Sequence, residues 1–254
     1  MTNPMNSEQL AEYLDRFLRV GELPDYPQAL NGLQVENSGR LTRILGAVDV
    51  SQAAIDAAVA RRADFMIVHH GLFWGGLQRV TNRFGRRLRG LIQHDVALYS
   101  AHIPLDCHAE VGNNAVLAAD LELEGPVPFG RFEGMEIGVM GGLEVPIAEL
   151  ADRLGVRLGV APQVIAKGPA VTKRIAIVTG GASQCIAEAH ERDVDTFITG
   201  EGPHHTFFDA EEWGINLIYA GHYATETVGV QALGEHLHDR FGIPFEFFDH
   251  PTGL

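Results

Sequence analysis

The sequence predicts an α/β protein, and three observations carry that prediction. Short apolar, β-rich runs alternate along the chain with amphipathic stretches of helical period. The alternation persists almost to the last residues, without a low-complexity tract or short-period repeat. Polar clusters rich in histidine follow directly on several of the β-rich runs, where open α/β sheets gather their ligands. At 254 residues the chain suits one large domain or two smaller ones, given about 150 residues per domain.

In order, Ser7–Leu18 is predicted as an amphipathic helix with Leu10, Tyr13, Leu14, Phe17 and Leu18 on one face. A Pro- and Asn-rich loop follows, holding Asn31-Gly32-Leu33-Gln34-Val35-Glu36. Arg43–Val50 reads as a buried strand, and Ser51 as the cap of a helix Gln52–Arg62. A second strand, Asp64–Val68, delivers His69-His70-Gly71 at its C-terminal end. Gly76–His94 is helix-like; Val96–Ala101 is a third strand with His102 and Asp106 just beyond it; Ala109–Leu121 is a helix. Pro104 argues against a helix between His102 and Asp106 and for a turn. Gly125–Gly130, with two Gly and two Pro in six residues, reads as a linker. Beyond it come a hairpin or meander over Phe132–Val145, a helix Ile147–Leu154 and strands Gln163–Ala166 and Arg174–Thr179. Next are a helix Gln184–Glu191, a strand Asp195–Thr199 ending at Gly200-Glu201, and a short helix Pro203–Trp213. A strand Asn216–Ala220 ends at Gly221-His222, and the longest helix, Ala224–Phe241, precedes a last strand Pro244–Phe248.

Composition excludes several classes. Hydrophobic residues make up 46% and charged residues 20%, a globular balance rather than a disordered one. A formal net charge of -14 repels phosphate backbones and disfavours nucleic-acid binding as the main activity. No apolar run approaches the roughly 20 residues of a membrane helix, and Met1–Leu10 lacks a basic region followed by an apolar stretch, so no secretory signal is expected. Cys107 and Cys185 form no C-x-x-C and no disulfide framework, which makes a reducing cytoplasm the expected compartment.

The 12 histidines point to chemistry. His69-His70 leaves a strand with side chains in different directions, suiting two metals better than one; a solvated loop pair is the bland alternative. His102-x-x-x-Asp106 sets an imidazole near a carboxylate, a combination that suits zinc, manganese or iron, although Asp106 would equally serve as a helix cap. His222-x-x-x-Glu226 places two donors on one face if the segment is helical, against a capping histidine and a first-turn glutamate. Taken together, three strand ends supply more N and O donors than one catalytic zinc needs, whereas two ions sharing a carboxylate would use them all. Cys107 and His108 have no spacing that promotes them. Arg79, Arg83, Arg86, Arg87 and Arg89 form a basic run that would either collect an anionic substrate or line a ring, or simply be a solvated helix face.

Five stretches, in order, resemble the NIF-three-like family of dinuclear-metal proteins, some of which carry the name GTP cyclohydrolase I type 2 homologue. They are Asn31–Glu36, His69-His-Gly-Leu-Phe-Trp74, His102-Ile-Pro-Leu-Asp106 with Gly112-Asn113, Thr199-Gly-Glu201 with His204-His205, and Gly221-His222-Tyr-Ala-Thr-Glu226. The resemblance implies a two-domain α/β fold in which a discontinuous outer domain, residues 1–125 plus 214–254, carries an inserted central domain, residues 126–213, with the metal site in the cleft. It implies two divalent ions per chain, zinc, iron or manganese, on His69, His70, Asp106, His222 and Glu226. His102 matches a position close to the metals, and Glu201 a pocket position able to shuttle a proton. It also implies a toroidal hexamer of three dimers. The function so implied is a metal-dependent hydrolase of a small molecule, with nucleotides among the candidates, although no G-x-x-x-x-G-K-[ST] phosphate loop is present. The alternative is a non-catalytic ring-shaped scaffold or metal-handling module that binds partners.

Overall fold

The computed structural model describes residues 5–254; Met1–Pro4, the start of the stretch read above for a secretory signal, lie outside them. In chain order the elements are α1 (Ser7–Phe17), β1 (Gly32–Val35), β2 (Ile44–Asp49), α2 (Gln52–Ala60), β3 (Phe65–His70), α3 (Asn82–Gln93), β4 (Ala97–Ser100), α4 (Ile103–Asp106) and α5 (Asn113–Asp120). There follow β5 (Glu124–Phe132), β6 (Met135–Pro146), α6 (Ile147–Leu158), β7 (Gln163–Ile165), β8 (Val171–Ile177), α7 (Ile186–Glu191), β9 (Thr196–Thr199), α8 (Thr206–Trp213), β10 (Asn216–Tyr219), α9 (His222–Thr225), α10 (Thr227–Phe241) and β11 (Phe245–Phe247). Among these residues no helix is long and apolar enough to cross a membrane. The chain is mixed α/β, and it packs as two compact units. One takes the chain through Leu105 together with Val230–His250; the other takes Asp106–Gly229 and Pro251–Leu254.

The first unit is built on a five-stranded sheet in the order β1-β4-β3-β2-β11. The β11, β2, β3 and β4 strands are parallel, and β1 closes the edge antiparallel to β4. The near-continuous apolar runs of β2 and β3 reflect burial on both faces. Leu45, Met66, Val68 and Leu98 of the sheet pack with Ile55 of α2 and Leu91 of α3. Ser51 does cap α2: its hydroxyl accepts the Ala54 N–H at 3.0 Å. The Asn31–Glu36 stretch, expected as loop, contains a short strand because the free edge of β4 supplies backbone partners for Gly32 and Leu33.

The second unit is built on a six-stranded sheet in the order β5-β6-β8-β9-β10-β7. Here β8, β9 and β10 are parallel, β6 and β7 flank them antiparallel, and β5 pairs antiparallel with β6. Its core joins Leu117 of α5, Leu150 and Leu154 of α6, Ile175 and Ile177 of β8, and Ile198 of β9. The Gly125–Gly130 stretch, expected as a linker, lies within β5 and pairs with β6. Its two prolines are tolerated because β5 is an edge strand, where a missing N–H breaks no ladder on the open side, and its pairing is irregular between Glu124 and Val127.

Two further expectations are corrected. Ile103–Asp106 forms one helical turn despite Pro104, because a proline in the first turn lacks only an N–H that has no intrahelical acceptor there. The predicted single helix Ala224–Phe241 is two helices, α9 and α10, separated at Glu226, which caps the C-terminal end of α9. Substituting Ser51→Ala should cost the fold about 0.5–2 kcal/mol through the lost α2 cap; chemical denaturation reads this, and an unchanged midpoint would remove the cap from the account.

Candidate metal centre

In the first unit, strand register does the positioning. The parallel pairing of β2 with β3 sets Asp49 opposite His70. The pairing of β3 with β4 sets Val68 opposite Ser100, so His102, two residues past Ser100, reaches the level of His70. The rings of His69, His70 and His102 therefore gather at one sheet end, with centroids 4.7 Å, 4.9 Å and 5.5 Å apart. One donor atom from each lies within 4.8 Å of the other two. His69 is fully buried.

Each of these rings is held by its Nδ1. His69 Nδ1 donates to the Ala101 carbonyl at 3.0 Å, since a carbonyl can only accept. His70 Nδ1 meets Asp49 Oδ1 at 3.0 Å, and His102 Nδ1 meets Asp25 Oδ1 at 2.9 Å. With Nδ1 as donor, the neutral ring carries its lone pair on Nε2. An oxygen acceptor behind the imidazole is the arrangement that orients a metal-binding histidine and raises its basicity.

The Asn31–Glu36 motif braces this end of the unit. Asn31 Oδ1 accepts the His102 N–H at 2.8 Å and its amide donates to Asp25 Oδ2 at 2.7 Å. Gln34 Oε1 accepts the Leu72 N–H at 2.8 Å, just past the histidine pair. Asp25 also accepts the Ile103 N–H at 3.0 Å. Burial alone would raise the Asp25 carboxyl, but the bonds from His102, Asn31 and the Tyr26 backbone outweigh it and hold the group below its ordinary value.

In the second unit, β9 and β10 are parallel with Thr199 opposite Tyr219, so the residues leaving their C-terminal ends emerge side by side. Glu201 Oε1 accepts from His222 Nδ1 at 2.7 Å, and His222 Nε2 lies 3.1 Å from Glu226 Oε1. Glu226 is buried, while the Glu201 side chain is 54% exposed. The Glu226 bond, aided by Glu201 and opposed by burial, pushes the His222 imidazole up to about 9. Asp106 is buried, and its Oδ1 accepts from Asn113 Nδ2 at 2.8 Å and Thr179 Oγ1 at 3.2 Å. Thr179 leads into Gly180, where a Cβ would stand 2.3 Å from Glu226 Oε1, and the backbone there is left-handed at φ +68°. Gly180 is thus the floor on which the Glu226 carboxylate sits.

Asp49, Asp25 and Gly180 were not found from sequence. Asp49 carried a signal, as an acid ending an otherwise apolar buried strand. Asp25, in Leu-Pro-Asp-Tyr-Pro, looks like any turn aspartate. His204 and His205 are exposed at the start of α8, and His108 Nδ1 accepts the Glu110 and Val111 N–H groups, a local turn role. The two cysteines form no disulfide, and burial pushes the Cys185 thiol up to about 12, which removes it as a nucleophile.

Fold and donor set together define a two-sheet α/β protein whose strand ends carry His and Glu groups of the kind that hold metal ions. The family model for Duf34/NIF3 (NGG1p interacting factor 3) matches residues 5–252, and the chain belongs to that family. A relative from Deinococcus radiodurans, named GTP cyclohydrolase 1 type 2 homolog, is 43% identical over 97% of this chain and 94% of its own length. One of the same name from Pyrococcus abyssi is 42% identical over 98% of this chain and 100% of its own. The crystal structure of TTHA1606 from Thermus thermophilus is 41% identical, covers 98% of this chain and 100% of its own, and superposes with a TM-score of 0.90.

In chelator-treated protein, His222 should titrate with a midpoint near 9, against an ordinary 6.5. The raised value means that the pair's stabilisation is complete below the ordinary value and is lost as pH rises through about 9. Glu226→Gln should move the midpoint back toward the ordinary value in an NMR titration; an unmoved midpoint would contradict the assigned contact.

Proposed function

We propose that this protein is a metal-dependent hydrolase of a small molecule, binding two divalent ions, zinc, iron or manganese, through His69, His70, Asp106, His222 and Glu226. One observation carries the reading. Three imidazoles, His69, His70 and His102, each have Nδ1 bonded to an oxygen, which aims their Nε2 lone pairs rather than leaving tautomers to chance, and Glu201 holds Nδ1 of a fourth, His222, whose Nε2 proton, shared with Glu226, a metal ion would displace. Imidazole with carboxylate, and no thiolate, fits first-row divalent metals in a catalytic rather than a purely structural setting. Bound there, such ions supply Lewis acidity and lower the pKa of water.

The chain's own groups do the rest. Asp49, Asp25, Glu201 and the Ala101 carbonyl hold the imidazoles in one tautomer. His102 and Glu201 are the groups assigned to hold or move a proton, and the exposed carboxylate of Glu201 exchanges it with solvent. The names of the relatives direct the first substrate test to a purine nucleotide, with attack at the imidazole-ring carbon. Phosphoesters and small amides are the next classes. A cytoplasmic setting and a hexamer of three dimers complete the reading, and light scattering should give a mass several times the 27.6 kDa of one chain.

Elemental analysis after metal-replete expression should give close to two ions per chain. Glu226→Ala should lose most of the metal with the fold retained, and Asp49→Asn, behind His70, should weaken metal binding about 10- to 100-fold. Full metal content in Glu226→Ala would remove that residue from the ligand set. A metal-reconstituted screen should find turnover on one of the three substrate classes that Glu226→Ala abolishes; full loading with no turnover on any of them would favour the scaffold.

A further inference from the structure

The basic run is set apart by its lack of ion pairs among the described residues. Arg19, Arg40, Arg61, Arg131, Arg153 and Arg192 each hold a carboxylate. Arg79, Arg83, Arg86, Arg87 and Arg89 take part in no ion pair among the described residues, although the chain's net charge is -14. Arg83, Arg86 and Arg87 lie at i, i+3 and i+4 on α3 and share one face, beside the apolar stripe of Phe84, Leu88 and Leu91 that packs on the sheet.

Arg87 borders that stripe. Its Nε is sealed from solvent and has no hydrogen-bond partner among the described residues. Burial and the charges of Arg83 and Arg86 weigh against its positive charge, and Asp49 is the carboxylate that offsets them. Asp49 is also the residue whose Oδ1 holds His70 Nδ1 at 3.0 Å. On another side of His70, Trp74 packs edge-on at 5.7 Å, and its Nε1 is a second buried N–H without an acceptor. Two buried donors without acceptors among the described residues, one of them on the ring packed against His70, are costly unless a ligand brings acceptors. The planar guanidinium forks of three neighbouring arginines match a group with several charged oxygens.

We propose that Arg83, Arg86 and Arg87, with Trp74 Nε1, form an anion site for a phosphate-bearing small molecule, holding its charged end beside His70. The site stands independently of the metals; only the identity of the anion as part of the substrate rests on the hydrolase reading. The acidic remainder of the chain favours a small ligand over a nucleic-acid backbone, which would run on into repulsion.

Calorimetric titration of the full-length, metal-loaded protein with inorganic pyrophosphate tests this. Arg83→Gln/Arg87→Gln should bind at least about tenfold more weakly than the parent, whereas Arg61→Gln/Arg153→Gln, an equal change in net charge, should stay within about twofold. Arg83→Gln/Arg86→Gln, both at exposed positions, gives the same readout should Arg87 disturb packing. Metal content is measured on every sample. Parent-like pyrophosphate binding by both α3 variants at normal metal content would overturn the anion site and leave the hydrolase reading intact. Equal weakening in the control pair would reduce the effect to bulk charge and overturn it too, as would a short RNA that binds more tightly than pyrophosphate through the same arginines. Retained pyrophosphate binding in Glu226→Ala, alongside lost metal, would support the anion site while the metal assignment is judged separately.

Discussion

An imidazole presents one lone pair, and the hydrogen bond at its other nitrogen decides which atom presents it. Here that bond is made at Nδ1 in His69, His70 and His102 of the first unit and in His222 of the second. The acceptors come from different places: a backbone carbonyl after β4, the last residue of β2, a loop aspartate, and a glutamate after β9. Three of the four stand at strand ends, two in the first unit and one in the second. Within each unit, parallel register, set by long apolar runs buried between helices, fixes where those ends fall to within one residue. A slip of one residue in β2 against β3 would turn the Asp49 side chain to the other face of the sheet and leave His70 without its partner.

The same logic explains why small residues sit where they do. Gly180 carries a positive φ and also touches the Glu226 carboxylate, so an alanine there would meet both backbone strain and a clash. Gly200, just before Glu201, would place a Cβ 2.7 Å from the His222 Cα. The short α9 helix then breaks at Glu226, yet the His222 and Glu226 side chains still meet. Their contact depends on the close packing of backbone around them rather than on an unbroken helical face.

Much of this was legible in the sequence because burial writes itself into composition. The strands β2, β3, β8, β9 and β10 were visible as apolar runs, and the polar clusters behind β3, β4, β9 and β10 were visible as places where those runs stop. What stayed hidden depended on partners distant in sequence. Asp25 is a turn residue until His102, 77 positions away, gives it a role. The β5 strand looked like a linker because Gly and Pro signal a loop unless the segment happens to be a sheet edge. Pro104 looked like a helix breaker because its position within the turn, not its presence, is what matters. The arginines of α3 were visible, but whether they were paired was a question of three-dimensional surroundings.

The most direct test of the account is anomalous diffraction at a metal absorption edge from crystals of the metal-loaded protein. The account predicts two peaks about 3.5–4 Å apart, with the Nε2 atoms of His69, His70 and His222 among the atoms nearest to them. A single ion, or ions bound away from those nitrogens, would contradict it.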